Sequence, residues 1–121
     1  MTISPRLRST LGLLALVVVV TAASEAWRAW SADRLGRDVA ARARPGDIEM
    51  IASDTCVYCA GARSWFQAHD VPFTECSIER DTACANRFAA QMAPGTPLLF
   101  VRGRPQVGFD PQRIADALQR S

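Results

Sequence analysis

Between Leu11 and Val20 the chain reads LGLLALVVVV, with no charged or hydrogen-bonding side chain. Such a stretch has no polar face to turn to water, so it is not a surface element of a small water-exposed domain. Setting it and its flanks aside leaves roughly 75 residues to fold, a length at which the core is thin. Arg6 and Arg8 precede the run, and Thr21, Ala22, Ala23 and Ser24 follow it. A basic start, an apolar stretch and small residues make a signal peptide, with Thr21-x-Ala23 as the cut. A retained anchor needs roughly 17–25 mostly apolar residues. Thr10 to Ala26 meets the lower bound with Glu25 as its one charge, and Trp27 and Trp30 follow where interfacial aromatics sit.

The expectation is therefore a signal-anchor or transmembrane segment over 1–26, which ties the protein to a membrane. A helical stalk follows over 27–46, where Trp27, Trp30, Leu35 and Val39 recur at helical spacing. Arg44-Pro45-Gly46 breaks that pattern, and a folded domain occupies 47–121. The formal net charge is +2, and all 14 basic residues are arginines scattered among acids, so no nucleic-acid partner is expected. Counting arginines on either side of the run does not favour export. An even number of cysteines, 4, suits an oxidising compartment, which places the domain outside the cytoplasm.

Within 47–121 the elements alternate. Ile48–Ala52 is a short apolar strand, and a helix from Cys56 to about His69 turns Cys59, Ala62, Phe66 and Trp65 inward. Phe73–Ile78 is a second strand. Asp81 to Met92 is a helix with Ala85, Phe88, Ala89 and Met92 on one face, broken by Pro94-Gly95. Leu98–Val101 is the most apolar strand, Arg102-Gly103-Arg104 a tight turn, and Gln106–Gly108 a fourth strand. Asp110 caps the last helix, Pro111 opens it and Phe109 staples onto Ile114. Alternation of this kind is an α/β layer fold.

The chemistry centres on Ser53-Asp54-Thr55-Cys56-Val57-Tyr58-Cys59. Cys56 sits where a strand gives way to a helix, and the free N–H groups and dipole of a helix N-terminus stabilise a thiolate. Cys59 lies on the same helix face, within disulfide reach. Thiol–disulfide exchange needs both: one sulfur attacks and the other releases the mixed disulfide. Zinc would need four ligands, but the remaining cysteines, Cys76 and Cys84, are badly spaced and His69 is the single histidine. No metal is expected. A purely structural bond across so short a loop would stabilise little. His69 is expected as a helix C-terminal residue favoured by the dipole rather than a base.

"CVYC" after a short strand, "GTP" at Gly95–Pro97 and "VGFDP" at Val107–Pro111 together resemble the glutaredoxins of the thioredoxin superfamily, over roughly residues 47–120. That resemblance implies a thioredoxin-like fold: a four-stranded mixed sheet with three helices, here preceded by the N-terminal signal-anchor helix. It implies Cys56 as nucleophile, Cys59 as resolving thiol and Tyr58 as the active-site aromatic. It makes Pro97 a cis-proline with the Thr96 backbone pairing with substrate, and it puts the glutathione γ-glutamyl group at the Gly108–Asp110 turn. No bound cofactor is implied, with glutathione as candidate co-substrate and disulfide-containing or glutathionylated proteins as partners.

Three departures bear on this: the residues before the CxxC, Val57 in place of the commoner proline, and the "GFDP" turn. Asp54 stands where many glutaredoxins carry a basic residue, and it would raise the Cys56 pKa if close. Arg63, one turn beyond Cys59, either compensates or simply faces solvent. "GFDP" resembles the small thioredoxin-like glutaredoxins that need no glutathione. Cys76 and Cys84 are either a staple between the second strand and the following helix or two buried thiols. The expected activity is a membrane-anchored thiol–disulfide oxidoreductase. Its alternatives are a protein disulfide reductase independent of glutathione and a module holding Cu(I) on its two thiolates.

Overall fold

The computed structural model describes residues 4–120, so the outermost residues of the segments 1–26 and 47–121 lie outside the described residues. The element order is α1 (Pro5–Arg42), β1 (Ile48–Ala52), α2 (Val57–Ala68), β2 (Thr74–Ser77), α3 (Thr82–Ala90), β3 (Leu98–Val101), β4 (Arg104–Val107) and α4 (Pro111–Arg120). The chain divides into two compact units, Met1–Arg34 and Leu35–Ser121.

In the first unit, α1 carries the apolar run with Leu13, Leu14, Leu16 and Val17–Val20 all exposed. By length and composition the helix is able to cross a membrane, and a signal sequence satisfies the same description. Trp27 and Trp30 pack ring against ring, 5.3 Å apart, and the Arg34 guanidinium lies 5.4 Å over Trp30.

In the second unit the sheet runs β2-β1-β3-β4, with β1 parallel to β2 and antiparallel to β3, and β3 antiparallel to β4. This is the mixed four-stranded sheet with three helices that the resemblance implies, preceded by the long apolar helix. Alternation along each strand sorts side chains onto two faces. Ile48, Met50 and Ala52 join Leu99 and Val101 under α2 and α4, together with Cys59, Ala62, Phe66, Ile114 and Leu118. Ile51 and Leu98 form a smaller cluster with Cys84 on the α3 face.

The core reaches further back along the chain than Asp47. Val39 is fully buried in the larger cluster, with Leu35, Ala40 and Ala43 packed against it, so the last turns of α1 are part of this unit. Gly36 fits here because a Cβ would lie 1.9 Å from the His69 ring. That ring stacks on Trp65 at 4.5 Å, and its Nδ1 lies 2.9 Å from the Trp65 carbonyl. Arg102 ties the ends together, donating to the carbonyls of Leu118 (2.9 Å) and Arg42 (3.3 Å) and to the Asp47 carboxylate (3.3 Å). Those carbonyls sit at helix C-termini, where orphan acceptors favour a cation.

Two sequence expectations need correction. α3 ends at Ala90; Met92 has left the helix at φ +51 and is 89% exposed, and Ala89 is exposed too. The buried positions of α3 are set by Cys84, whose bond to Cys76 (2.03 Å) pulls that side of the helix onto β2. A bond closing a loop of this length contributes about 2–3 kcal/mol by restricting the unfolded chain. The fourth strand begins earlier than Gln106, at Arg104, and includes Pro105. Proline is tolerated because β4 is an edge strand. The turn before it has φ +49 at Arg102 and +80 at Gly103, the conformation of a two-residue hairpin.

Removing residues 1–44 should therefore weaken the domain relative to removing 1–34. Losing the packing of Leu35, Val39, Ala40 and Ala43 should cost about 2–4 kcal/mol in urea unfolding. Equal midpoints for the two fragments would show that the α1 turns contribute nothing.

Candidate active site

The C-terminal end of β1 sets the site. After Ala52 the chain leaves the sheet, turns through Ser53–Thr55 and enters α2 with Cys56 as N-cap. The Cys56 backbone is extended, and its Sγ accepts the N–H of Cys59 at 3.0 Å. That N–H is one of the donors a helix N-terminus leaves unpaired, and it would hold a thiolate in the same place. Cys59 is fully buried in the core cluster, whereas Cys56 is half-exposed, and the two sulfurs are at disulfide distance with Cα atoms 5.2 Å apart. A reagent from outside meets Cys56 and not Cys59.

Two grooves flank Cys56. The first, about 640 Å³, is lined by Val57, Tyr58, Gly61, Ala62, Trp65, Thr96, Pro97, Gly108 and Phe109. Val57 and Tyr58 stand at its lip, 79% and 77% exposed. Trp65 and Phe109 form its floor, their rings 5.6 Å apart. The Thr96–Pro97 bond is cis. Gly108, at φ +79, donates its N–H to the Pro97 carbonyl at 2.9 Å, which draws the two loops together. Asp110 is committed to α4: its Oδ1 accepts the N–H groups of Gln112 (3.0 Å) and Arg113 (3.4 Å). It does not line this groove, so of the Gly108–Asp110 turn Gly108 and Phe109 face it.

The second groove, about 530 Å³, is polar and includes Ser53, Asp54, Cys56, Arg63, Glu75, Cys76, Ser77 and Arg80. Its charges are paired. Arg63 forks onto the Glu75 carboxylate on β2, with Nε to Oε2 at 2.8 Å, so it does not serve as a free cation for Cys56. Asp54, two residues before Cys56, is neutralised by Arg80 at 3.0 Å and accepts from Ser77 Oγ at 2.9 Å. Those hydrogen bonds, led by Arg80, hold its carboxyl below the usual range.

Glu79 is the residue that sequence reading missed. Its carboxylate accepts from Ser53 Oγ and from the Asp54 N–H at 3.2 Å, and it lies 2.9 Å from Ser77 Oγ, whose single proton is shared between it and Asp54. These donors, led by Ser53, lower its pKa from 4.5 to about 2. The available signal was the polar run Ser77–Asp81 between a strand and a capped helix, but its partners lie 25 and 26 residues away in sequence. Among the described residues no three His, Cys, Asp or Glu side chains gather to hold a metal.

Residues 48–106 match the family model described as Glutaredoxin. Similar solved folds include the thioredoxin-like protein BC3987, at 21% identity and TM-score 0.52 over 58% of this chain and 97% of that one. Wheat glutaredoxin matches at 13% identity and TM-score 0.51 over 72% and 92%. Glutaredoxin C1 from Populus tremula x tremuloides, in its holo form, matches at 16% and 0.50 over 74% and 97%. No curated protein matches the sequence significantly. The domain after the apolar helix has a thioredoxin-like fold, and its residues 48–106 match the glutaredoxin family.

The pKa shift of Glu79 carries a sign. A carboxylate held below its unfolded value adds stability above about pH 4.5, and that stability is lost as pH falls toward about 2. Asp54 and Asp47 shift the same way, Asp47 chiefly through the Arg44 N–H. Melting temperature should fall between these pH values, and Glu79→Gln should flatten that fall. An unchanged slope in the variant would remove Glu79 from the account.

Proposed function

We propose that this protein is a membrane-anchored thiol–disulfide oxidoreductase in which Cys56 is the nucleophile and Cys59 the resolving thiol. The observation that carries this is the asymmetry of the pair: Cys56 is accessible and capped by the Cys59 N–H, while Cys59 is buried. The Cys56 thiolate attacks one sulfur of a substrate disulfide, forming a mixed disulfide and expelling the other sulfur as a thiolate. Cys59 then attacks Cys56 Sγ, closing Cys56–Cys59 and releasing the second substrate sulfur. The substrate gains two electrons and the protein dithiol loses them. Tyr58 and the Thr96–Pro97 edge form the surface on which the substrate chain lies, with Gly108 at its far side.

The alternative of a protein disulfide reductase that does not use glutathione has its own support. No charged side chain is among the residues lining the apolar groove, whereas glutathione carries two carboxylates and an ammonium group. A substrate with an apolar chain beside its cysteine suits that lining better.

Cys56→Ser should abolish reduction of both a glutathionylated peptide and a protein disulfide. Cys59→Ser should keep the first activity and lose the second if glutathione is used. A folded wild-type protein that turns over the protein disulfide and not the glutathionylated peptide would decide for the alternative. Turnover of both by Cys56→Ser would refute the assignment of the nucleophile.

The apolar helix and the paired cysteines support an anchor with the domain outside the cytoplasm. A reporter that folds only in the cytoplasm, fused at the C-terminus, should be inactive. An active reporter would place the domain inside.

A further inference from the structure

The Cys76–Cys84 bond packs with the α3-face cluster, and Cys76 also lines the polar groove that Cys56 borders. Cys76 pairs with Ile51 in the sheet register and packs in the α3-face cluster, while Cys56 packs against the larger cluster under α2. What connects the two pairs is the loop 77–81, which the Cys76–Cys84 bond spans.

Three anchors of that loop, at Ile78, Glu79 and Arg80, run to the end of β1 and the turn before Cys56. Ile78 N–H donates to the Ala52 carbonyl at 3.0 Å. Arg80 pairs with Asp54, and Glu79 takes Ser53 Oγ and the Asp54 N–H. At the far end Asp81 caps α3 by accepting the Cys84 N–H at 3.2 Å, so the disulfide and the cap fix the same residue. The loop is thus held by β2 and α3 and in turn holds Ser53 and Asp54. Those residues set where α2 starts, and with it the approach of the Cys59 N–H to Cys56 Sγ.

We propose that Glu79 is a positioning residue for the Cys56 nucleophile, and that the Cys76–Cys84 bond keeps Glu79 in place for that task. The proposal rests on the redox reading of Cys56 given above and adds a residue and a disulfide that act on it through the loop after β2. A loosened turn populates the Cys59 N–H to Cys56 contact less often, so the thiolate is held less well and its pKa rises. The charges around Cys56 come from three segments: Asp54 on the turn, Arg63 on α2, and Glu75, Glu79 and Arg80 on β2 and its loop. Removing the negative Glu79 without loosening the turn would act oppositely and lower the thiolate pKa. The sign therefore separates holding from simple charge.

The test uses the full-length chain carrying Cys59→Ser in detergent, where Cys56 is the one free thiol and Cys76–Cys84 stays closed. The rate of Cys56 alkylation by iodoacetamide is followed against pH in this parent, in Glu79→Ala, in Glu79→Gln and in Cys76→Ser/Cys84→Ser. Glu79→Ala and the double serine variant should each raise the apparent Cys56 pKa by about half a unit, slowing alkylation at pH 7 about threefold. Glu79→Gln, whose one amide oxygen can still accept the Asp54 N–H while its amino group turns to Ser53 Oγ, holds the turn without the charge and should titrate at or slightly below the parent, on the opposite side from Glu79→Ala. Glu79→Ala should add little once the disulfide is gone, as expected for groups acting through one element.

Identical profiles in all variants, each with a cooperative melt, would overturn the proposal. So would a lowered pKa shared by Glu79→Ala and Glu79→Gln. A parent whose Cys56 titrates like an ordinary cysteine, near about 8.5, would remove the redox reading and this proposal together. A reactive parent matched by its variants would remove this one alone.

Discussion

Burial of β1 on both faces is the constraint on which the domain depends. Ile48, Met50 and Ala52 lie under α2 and α4, Ile51 lies under α3, and the backbone pairs on both edges with β2 and β3. A strand so enclosed has no freedom of register, because a one-residue slip would exchange its two apolar faces for each other and for Glu49. Its C-terminal end is therefore fixed in space, and the chain leaves it for Cys56 at a defined point. The accessible sulfur, the buried sulfur and the N–H between them follow from where that strand stops.

The surroundings of Cys56 divide by chemistry. On one side lies an apolar trough with Tyr58 at its lip and Trp65 and Phe109 beneath. On the other lies a set of closed ion pairs, Arg63–Glu75 and Arg80–Asp54, with Glu79 among hydroxyl and amide donors. Exposed pairs like these contribute little to stability individually. The Arg80–Asp54 pair and the Glu79 contacts bind the turn at Asp54 to the loop after β2, and Arg80 cancels the acid beside Cys56, while Arg63–Glu75 ties α2 to β2.

Most of the site was legible from local pattern. The cysteines, the helix starting beside them and the Asp110 cap depend on residues within a few positions of each other, where spacing and helix-end chemistry speak directly, whereas the cis Thr96–Pro97 bond was implied only by the family resemblance. The end of α3 was misjudged because Ala85, Phe88, Ala89 and Met92 have helical spacing, yet the helix stops at Ala90 and a disulfide decides which face is covered. The reach of the core back to Leu35 was hidden for a similar reason. The helix does end before Pro45-Gly46, at Arg42, but its last turns pack against residues far ahead in sequence.

The sequence alone determined the long apolar helix, the alternation of strands and helices, and a cysteine at a helix N-terminus with its partner one turn on, since each is a matter of short-range periodicity and unpaired backbone donors. The tertiary structure decided that Gly36 makes room for His69, that Arg63 and Arg80 are taken by Glu75 and Asp54, and that Glu79 reaches the turn before Cys56. Those contacts join residues 12 to 33 positions apart, and no local pattern encodes a distance that only the folding of the sheet brings about.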